Sequence, residues 1–488
     1  MVPVYFLAAI LSLTAWIRCG QAADEFQDLV NQIPRSANAV VLLNMEKAKN
    51  SPLGLKEDWK KNVEKAFEDG VARVPPQATR FVLASQIDFE SKEPFWEAAV
   101  IDLDRGDSME QLAKARKGAE EKIEGLPAVR LANGAYVLQL GPKRLAAMGP
   151  GDRQTVVRWV REVRRRSPPP LSPYLQRAAV YSDEAGSDII MALDLEGAMS
   201  WERVGGYLKK YEKSLRQWQT AEKMPMSLSE VAEVLSSVHG IRIGVRIGEQ
   251  SSAKIVVDLR DDAGHVAAFA KPLLLQVLSD NGALINDFQS WTAEAKGNEL
   301  SLAGILSRSG LRRLLSVVDS PASDDAAASP GEQPISQAEK SRQYFRTIVA
   351  MADDLKDDMK KAANLASTQL YFDKYAKRIE RMPILGVDDE LLQYSAFVAN
   401  CLRQATGSVK TMGIQTGVRT AVGTGADYSN YRWVDPYADL KASATERIAV
   451  RAQEKAVAAT DVQSLRQAMI AATFNIRRRM TQKYQIEF

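Results

Sequence analysis

Histidine and cysteine are almost missing from this chain: its 488 residues include two of each. A zinc site draws three or four ligands from His, Cys and carboxylate side chains, and neither an HExxH nor a CxxC spacing occurs. The G-x-S-x-G elbow of serine hydrolases and the G-x-x-x-x-G-K-[ST] phosphate loop are absent too. A Ser-His-Asp triad needs only one histidine, so counting alone leaves it open. His239 precedes a strand-like run, and His265, in DDAGHVAAF, reads as a polar residue at a helix N-terminus. Charge of one sign is also lacking. Lys and Arg number 64 against 61 Asp and Glu, a net charge of +3, so bulk composition names no polyanionic partner and gives no argument for nucleic acid. Beyond the N-terminal segment, no apolar run approaches the ~20 residues of a membrane helix.

What is present is ordinary globular composition, 45% hydrophobic and 26% charged. At this length two or three domains are expected. The first residues, MVPVYFLAAILSLTAWIRCGQAADEF, read as a secretory signal peptide. The apolar core Val4 to Ile17 is too short to span a bilayer, and small residues follow at Gly20, Ala22 and Ala23. Cleavage is expected after Ala22, or after Ala23, with an uncleaved anchor as the alternative. The residues before Cys19, Trp16-Ile17-Arg18, are not the small aliphatic set of a lipidation site. The mature chain then holds Cys401 alone, so no intrachain disulfide forms and stability must come from burial. Cys401 lies in LLQYSAFVANCLRQ, where a small buried apolar role fits it.

Two stretches organise the rest. GIRIGVRIGEQSSAKIVVDLR (residues 240–260) has two β-branched, nearly alternating runs around Glu249-Gln250-Ser251-Ser252, the signature of a β-hairpin with one covered face. RFVLASQIDFESKEPFWEAAVIDLD (residues 80–104) echoes it. The strand AVVLLNM (39–45) likewise has a counterpart in DIIMALDLE (188–196). Helical patterns lie between these strands, and later pairs, PAVRLA with YVLQLG and SWTAEAKG with ELSLAGIL, complete each half. Asn133-Gly134 and Gly297-Asn298 supply their turns. Asp107-Ser108 is expected to cap a helix SMEQLAKARKGAEEKI. Asp102 and Asp258 are the best-matched landmarks, each ending a strand just before a helix start.

The expected fold class is therefore α+β: two related units of mostly antiparallel sheet with packed helices, followed by an all-helical C-terminal domain. The boundaries are a signal peptide at 1–22, unit one at 23–170, unit two at 171–318 as a duplication, a linker at 319–336 and a helical domain at 337–488. Pro168-Pro169-Pro170 breaks the first unit from the second. DSPASDDAAASPGEQPIS has the composition of a solvated linker. Within the helical domain a Gly-rich loop is expected at 407–436, and the last helix from Ala438 to about Gln482.

The signal peptide, the strand IPRSANAVVLLN, the run YFDKYAKRIERMPILGVDDELLQY and the ending IRRRMTQKYQIEF together resemble a family of uncharacterised secreted proteins from planctomycete-type bacteria. The resemblance spans most of the chain. It implies export and this domain order, and it brings no activity, cofactor or site with it.

Candidate chemistry is sparse. Asp353-Asp354 and Asp357-Asp358 place carboxylates four apart on a helix, but Lys356, Lys360 and Lys361 interleave, and calcium wants six to eight oxygens. An ion-paired, solvated face is the expected reading. VDDE (387–390) reads as a helix N-terminus. Arg153, Arg158, Arg161, Arg164, Arg165 and Arg166 form the densest basic segment, a solvated face or a surface for anionic lipid heads or acidic polymer. Arg477-Arg478-Arg479 complements a helix C-terminus. Tyr428, Tyr431 and Trp433 stand beside glycines. They either form a recognition patch or pin the loop onto the helical domain.

No catalytic, metal or cofactor-binding residue is named, and no cofactor is expected. The leading expectation is an exported cell-envelope protein, periplasmic or extracellular, with a non-catalytic binding or assembly role. Its partners would be an envelope protein or a second copy through the C-terminal helices, with peripheral membrane contact possible and no membrane span in the mature chain. The alternatives are a hydrolase of an envelope polymer using Asp102 or Asp258, and a small-ligand or lipid binder with a cavity between the two α+β units.

Overall fold

The computed structural model describes residues 24–68, 74–89, 94–106, 108–116, 118–149, 151–165, 171–184, 186–218, 226–316, 336–360, 362–382, 384, 386–418 and 462–488. The expected signal peptide, most of the expected linker, and Tyr428, Tyr431 and Trp433 lie outside these residues. The fold is α+β with antiparallel strand pairing and a helical C-terminal region. By internal contacts the chain divides into two compact units, Met1–Leu275 with Asn286–Glu332, and Gln276–Ile285 with Gln333–Phe488.

The first unit is built on twelve strands: β1 Ala39–Asn44, β2 Ala78–Ile87, β3 Pro94–Leu103, β4 Ala119–Ile123, β5 Leu126–Arg130, β6 Tyr136–Gly141, β7 Arg144–Gly149, β8 Ile189–Asp194, β9 Val238–Arg246, β10 Ser251–Leu259, β11 Thr292–Lys296 and β12 Glu299–Leu306. They form one sheet, in the order β11-β12-β10-β9-β8-β1-β2-β3-β7-β6-β5-β4. The two halves expected as separate sheets, on either side of residue 170, are corrected here: they share this single sheet through the antiparallel pair β1–β8.

The repeat is visible pair by pair. In the first half Asn44, Arg80, Asp102 and Arg144 stand side by side across β1, β2, β3 and β7. In the second half Asp194, Gly240, Asp258 and Glu299 do so across β8, β9, β10 and β12. Counting three residues back from Asn44 and from Asp194 reaches Val41 and Met191, and these two face each other across the seam. A two-fold relation demands such a self-equivalent pair on its axis. Helix ends match as well. Asp152 caps the helix Arg153–Val163 after β7, and Ser307 accepts the Gly310 N–H to open the helix Arg308–Ser316 after β12. Among the described residues the hairpin β4–β5 has no counterpart in the second half.

Alternation divides the sheet's residues between two faces. One face carries Val40, Leu42, Val82, Ala84, Val100, Ala146, Ile190 and Ala192, which share a core with Phe26, Leu29, Trp159, Tyr174 and Leu175 from three helices. This core spans both repeats. The other face of the first repeat packs Phe81, Leu83, Ile101, Val137 and Leu145 against Met109 and Ala113.

Two strands were not apparent from the sequence. AEEKI, expected to finish a helix, is β4, because that helix stops at Ala115 and the chain restarts as a strand after Gly118. RLAAMG, without β-branched residues, is β7, held between β3 and β6.

The second unit is helical. Its principal helices are Gln337–Leu355, Ala362–Glu380, Asp389–Val418 and Val462–Tyr484. The expected loop from Gly407 is corrected here in part, since the helix continues through Gly407 and Gly413 to Val418. Glycine lowers helix propensity by about 1 kcal/mol, which two isolated glycines in a 30-residue helix do not suffice to break. The C-terminus is anchored within the same unit: Phe488 is buried, and its ring meets those of Phe345 and Tyr484.

Candidate functional site

Asp102 and Asp258 are buried, which for a carboxylate requires partners. They occupy equivalent positions, yet their partners differ. Asp102 accepts two hydrogen bonds from Arg144, at 2.6 and 3.1 Å, and Arg80 lies 3.5 Å away. These are its two direct cross-strand neighbours. At the second position those neighbours are Gly240 and Glu299, neither a cation. Asp258 is satisfied instead by Arg242, 2.7 Å away, and by the Tyr174 hydroxyl at 2.8 Å. Gly240 makes this possible. A Cβ there would lie 2.5 Å from the Tyr174 ring and 2.5 Å from the Leu193 carbonyl.

Arg242 also reaches Glu299, at 2.5 Å, and its guanidinium lies over the Tyr181 ring. Burial works against the Arg242 charge, but Asp258 and Glu299 outweigh it and hold its pKa above the usual value. Burial and the adjacent Asp258 carboxylate push the Tyr174 phenol well above its ordinary range, so it remains a donor.

Neither aspartate caps the helix that follows it. Ser108 and Asp262 accept the hydrogen bonds at those starts. Nor do the two converge. Five strand spacings separate β3 from β10, about 24 Å at ~4.8 Å per strand. The two-fold relation also sets them at opposite ends of the sheet. Carboxylate pairs that cleave a glycosidic bond sit within ~10 Å of each other. These aspartates close the two ends of a core; they do not share a substrate.

Cys401 is buried, and burial pushes its thiol up to about 12. His239 lies within β9 and His265 in the short turn Ala263–His265. Of the four expected solvent-facing aspartates, Asp353 and Asp357 pair with Lys356 and Lys360, whereas Asp354 and Asp358 are buried. The uniformly solvated face is thereby corrected, because the helix path turns one carboxylate of each doublet inward. No cluster of three or more His, Cys, Asp or Glu side chains suited to a metal occurs among the described residues. The basic helix Arg153–Val163 is partly matched by the β4–β5 hairpin: Arg153 pairs with Glu121, and Arg161 with Glu124.

In the helical unit Asp388 is buried and highly connected. It accepts hydrogen bonds from the Tyr484 hydroxyl and the Glu390 amide and pairs with Lys483 at 2.7 Å, while its own amide donates to Ser341. Arg479 pairs with Glu390 at 2.9 Å. The basic C-terminal turn thus meets the acidic start of another helix. The same last helix buries Leu465, Met469, Ile476 and Met480, and leaves Ile470 48% and Phe474 67% exposed. Periodicity alone did not separate these two from the buried set.

No protein-family model matches this chain, and no curated protein matches it. Solved structures of TP0453 are similar at low level. Crystal form I aligns at 11% identity over 59% of this chain and 94% of that one, with a TM-score of 0.34. Form IV gives 10% identity, the same two coverages and a TM-score of 0.33. Form III gives 11%, 59% and 97%, also with a TM-score of 0.33. Similarity of that degree carries no argument about function. No helix among the described residues is long and apolar enough to cross a membrane.

Proposed function

We propose that this chain is an exported cell-envelope protein with a non-catalytic binding or assembly role, and that its last helix is a contact surface. Export rests on the N-terminal sequence. The contact surface rests on one observation: Ile470 and Phe474 are exposed one turn apart on a helix that buries Leu465, Met469, Ile476 and Met480. An exposed large apolar pair on a well-packed helix is a feature of docking surfaces. A hydrolase using Asp102 or Asp258 draws no support from their separation and ion pairing. The place between the repeats, where a ligand cavity was the other alternative, is occupied on one face by a strand ladder and a continuous core.

The test is capture from native envelope extract with the whole mature chain and with its I470D/F474D variant, both checked for unchanged melting. A partner held by the first and lost by the second supports the reading. A partner held equally by both moves the contact off this helix, and capture by neither overturns the assembly role.

A further inference from the structure

The segment that follows β8 carries a concentration of charge that the chain as a whole lacks. Trp201–Leu208, the turn Lys209–Tyr211 and Glu212–Trp218 run on without a break. The buried side chains Val204, Leu208 and Leu215 recur at helical spacing, so that side is committed to the fold. The exposed residues recur at the same spacing: Glu202 and Arg203, Gly206, Lys209 and Lys210, Lys213, then Arg216 and Gln217. Residues 201–218 hold five cations against the two carboxylates Glu202 and Glu212, and Arg216 meets Glu212 at 2.7 Å. On the helix Arg153–Val163, by contrast, arginines face the carboxylates of the β4–β5 hairpin.

Two features set this surface apart from a merely solvated one. Gly206 is exposed in mid-helix, and a Cβ there would meet nothing within 4 Å. Glycine at such a place costs about 1 kcal/mol relative to alanine, and among the described residues no crowding requires it. It leaves bare backbone one turn from Arg203, Lys209 and Lys210, where an anion can approach closely. Aromatic rings stand beside it. Trp201 is 49% exposed, and the Lys210 ammonium lies 4.3 and 4.9 Å from the centres of the Tyr207 and Tyr211 rings. Stacking on a ring fixes a cation without cancelling its charge. Lysine beside Trp and Tyr is the composition of groups that settle at the headgroup level of a bilayer. The stripe from Glu202 to Gln217 is also about 22 Å long at ~1.5 Å per residue, which matches an array of anions, not one small ion.

We propose that this face of residues 201–218 docks on a membrane surface containing anionic phospholipid. Lys209, Lys210 and Lys213 supply the attraction, Gly206 gives a headgroup phosphate room to reach the helix, and Trp201 settles among the headgroups. Because the apolar side of the helix is buried within the protein, attachment is electrostatic and stays at the surface. This goes beyond the assembly role proposed above and uses none of the last helix.

The mature chain, begun after residue 22 so that the apolar N-terminus plays no part, is floated with two kinds of vesicle. One is phosphatidylcholine alone, and the other is equal parts of phosphatidylcholine and phosphatidylglycerol. The expected result is flotation with the anionic vesicles only, weakening as salt rises. K209Q/K213Q should melt like the parent chain and bind about 30-fold more weakly, since each lysine near an anionic surface counts for roughly fivefold. R158Q/R165Q, in the other basic segment, should bind like the parent. No flotation with anionic vesicles, equal flotation with neutral ones, or undiminished binding by K209Q/K213Q overturns the proposal. Soluble polyglutamate bound as tightly as the vesicles would also overturn it, by moving the occupant to an acidic polymer. I470D/F474D should float like the parent, so this proposal and the last-helix contact fail separately.

Discussion

Asn38 and Asp188 perform the same task one repeat apart. Each stands just before the first strand of its repeat and closes the end of the neighbouring strand. Asn38 donates to the Ile87 carbonyl at 2.8 Å and accepts from the Ile87 amide at 2.7 Å. Asp188 accepts from the amide of Ile247, the residue equivalent to Ile87, at 2.5 Å. The two differ in that Lys47 lies 3.6 Å from Asp188.

Replacing either with alanine leaves a strand-end amide without its acceptor, a cost of about 1–3 kcal/mol. The conservative exchanges should be unequal. Asp188→Asn keeps an acceptor for Ile247, whereas Asn38→Asp sets a carboxylate against the Ile87 carbonyl. Urea denaturation should therefore rank Asn38→Asp as the more damaging of the two. The reverse order would show that the Lys47 contact outweighs the hydrogen bond.

Gly240, Tyr174 and Asp258 form a dependent set. Gly240→Ala must displace the Tyr174 ring or the β8 backbone, and so should break the bond to Asp258. Tyr174→Phe removes only that bond, at about 1–2 kcal/mol. The glycine change is expected to cost more, because overpacking adds about 1–3 kcal/mol to the lost bond. In the double variant the two costs should fall short of their sum, since the hydrogen bond can be lost once. Strict additivity in melting experiments would mean that Tyr174 tolerates the added methyl group.

Most strands and both repeats were readable because β-branched alternation is a local signal. AVVLLNM and DIIMALDLE announce themselves without reference to anything else. What could not be read was non-local. Pairing of β1 with β8, which turns two expected sheets into one, depends on complementarity between segments some 150 residues apart. β7 lacked a propensity signal, and β4 carried a misleading one, since Glu, Lys and Ala favour helix until a glycine and a waiting strand edge override them. The aspartate landmarks were found correctly as positions. Their partners were not, because Arg242 and Tyr174 come from places that only the register and the helix packing identify.

Cys401 offers a direct probe of the helical unit. With its thiol buried and pushed up to about 12, it is almost wholly protonated at pH 8 and shielded from solvent. A thiol-specific reagent should leave Cys401 of the folded chain unlabelled at that pH and label it fully in denaturant. Labelling should therefore track local opening of the helix Asp389–Val418. Fast labelling of folded protein would contradict the packing described above.

Acid should reach the helical unit through Asp388. Burial opposes its charge, but Lys483, Tyr484 and the Glu390 amide prevail and hold its carboxyl below the usual value of 3.8. A depressed pKa in the folded state stabilises above the unfolded pKa, and the benefit is lost as pH falls through the folded one. Stability should thus be flat near neutrality and decline from about pH 5 downward, where the unfolded chain begins to take up the proton first. Lys483 works in the opposite range. Its pKa is raised from 10.5 chiefly by the bond to Asp388, against some cost of burial, so its share is complete below about pH 10 and lost above. Asp388→Asn should remove part of both slopes, lowering stability at pH 7 while leaving the variant closer to the native chain at pH 3. The check is a set of melting curves at pH 3, 7 and 11 for both proteins. An acid decline of the same size in the variant would place the responsible carboxylate elsewhere.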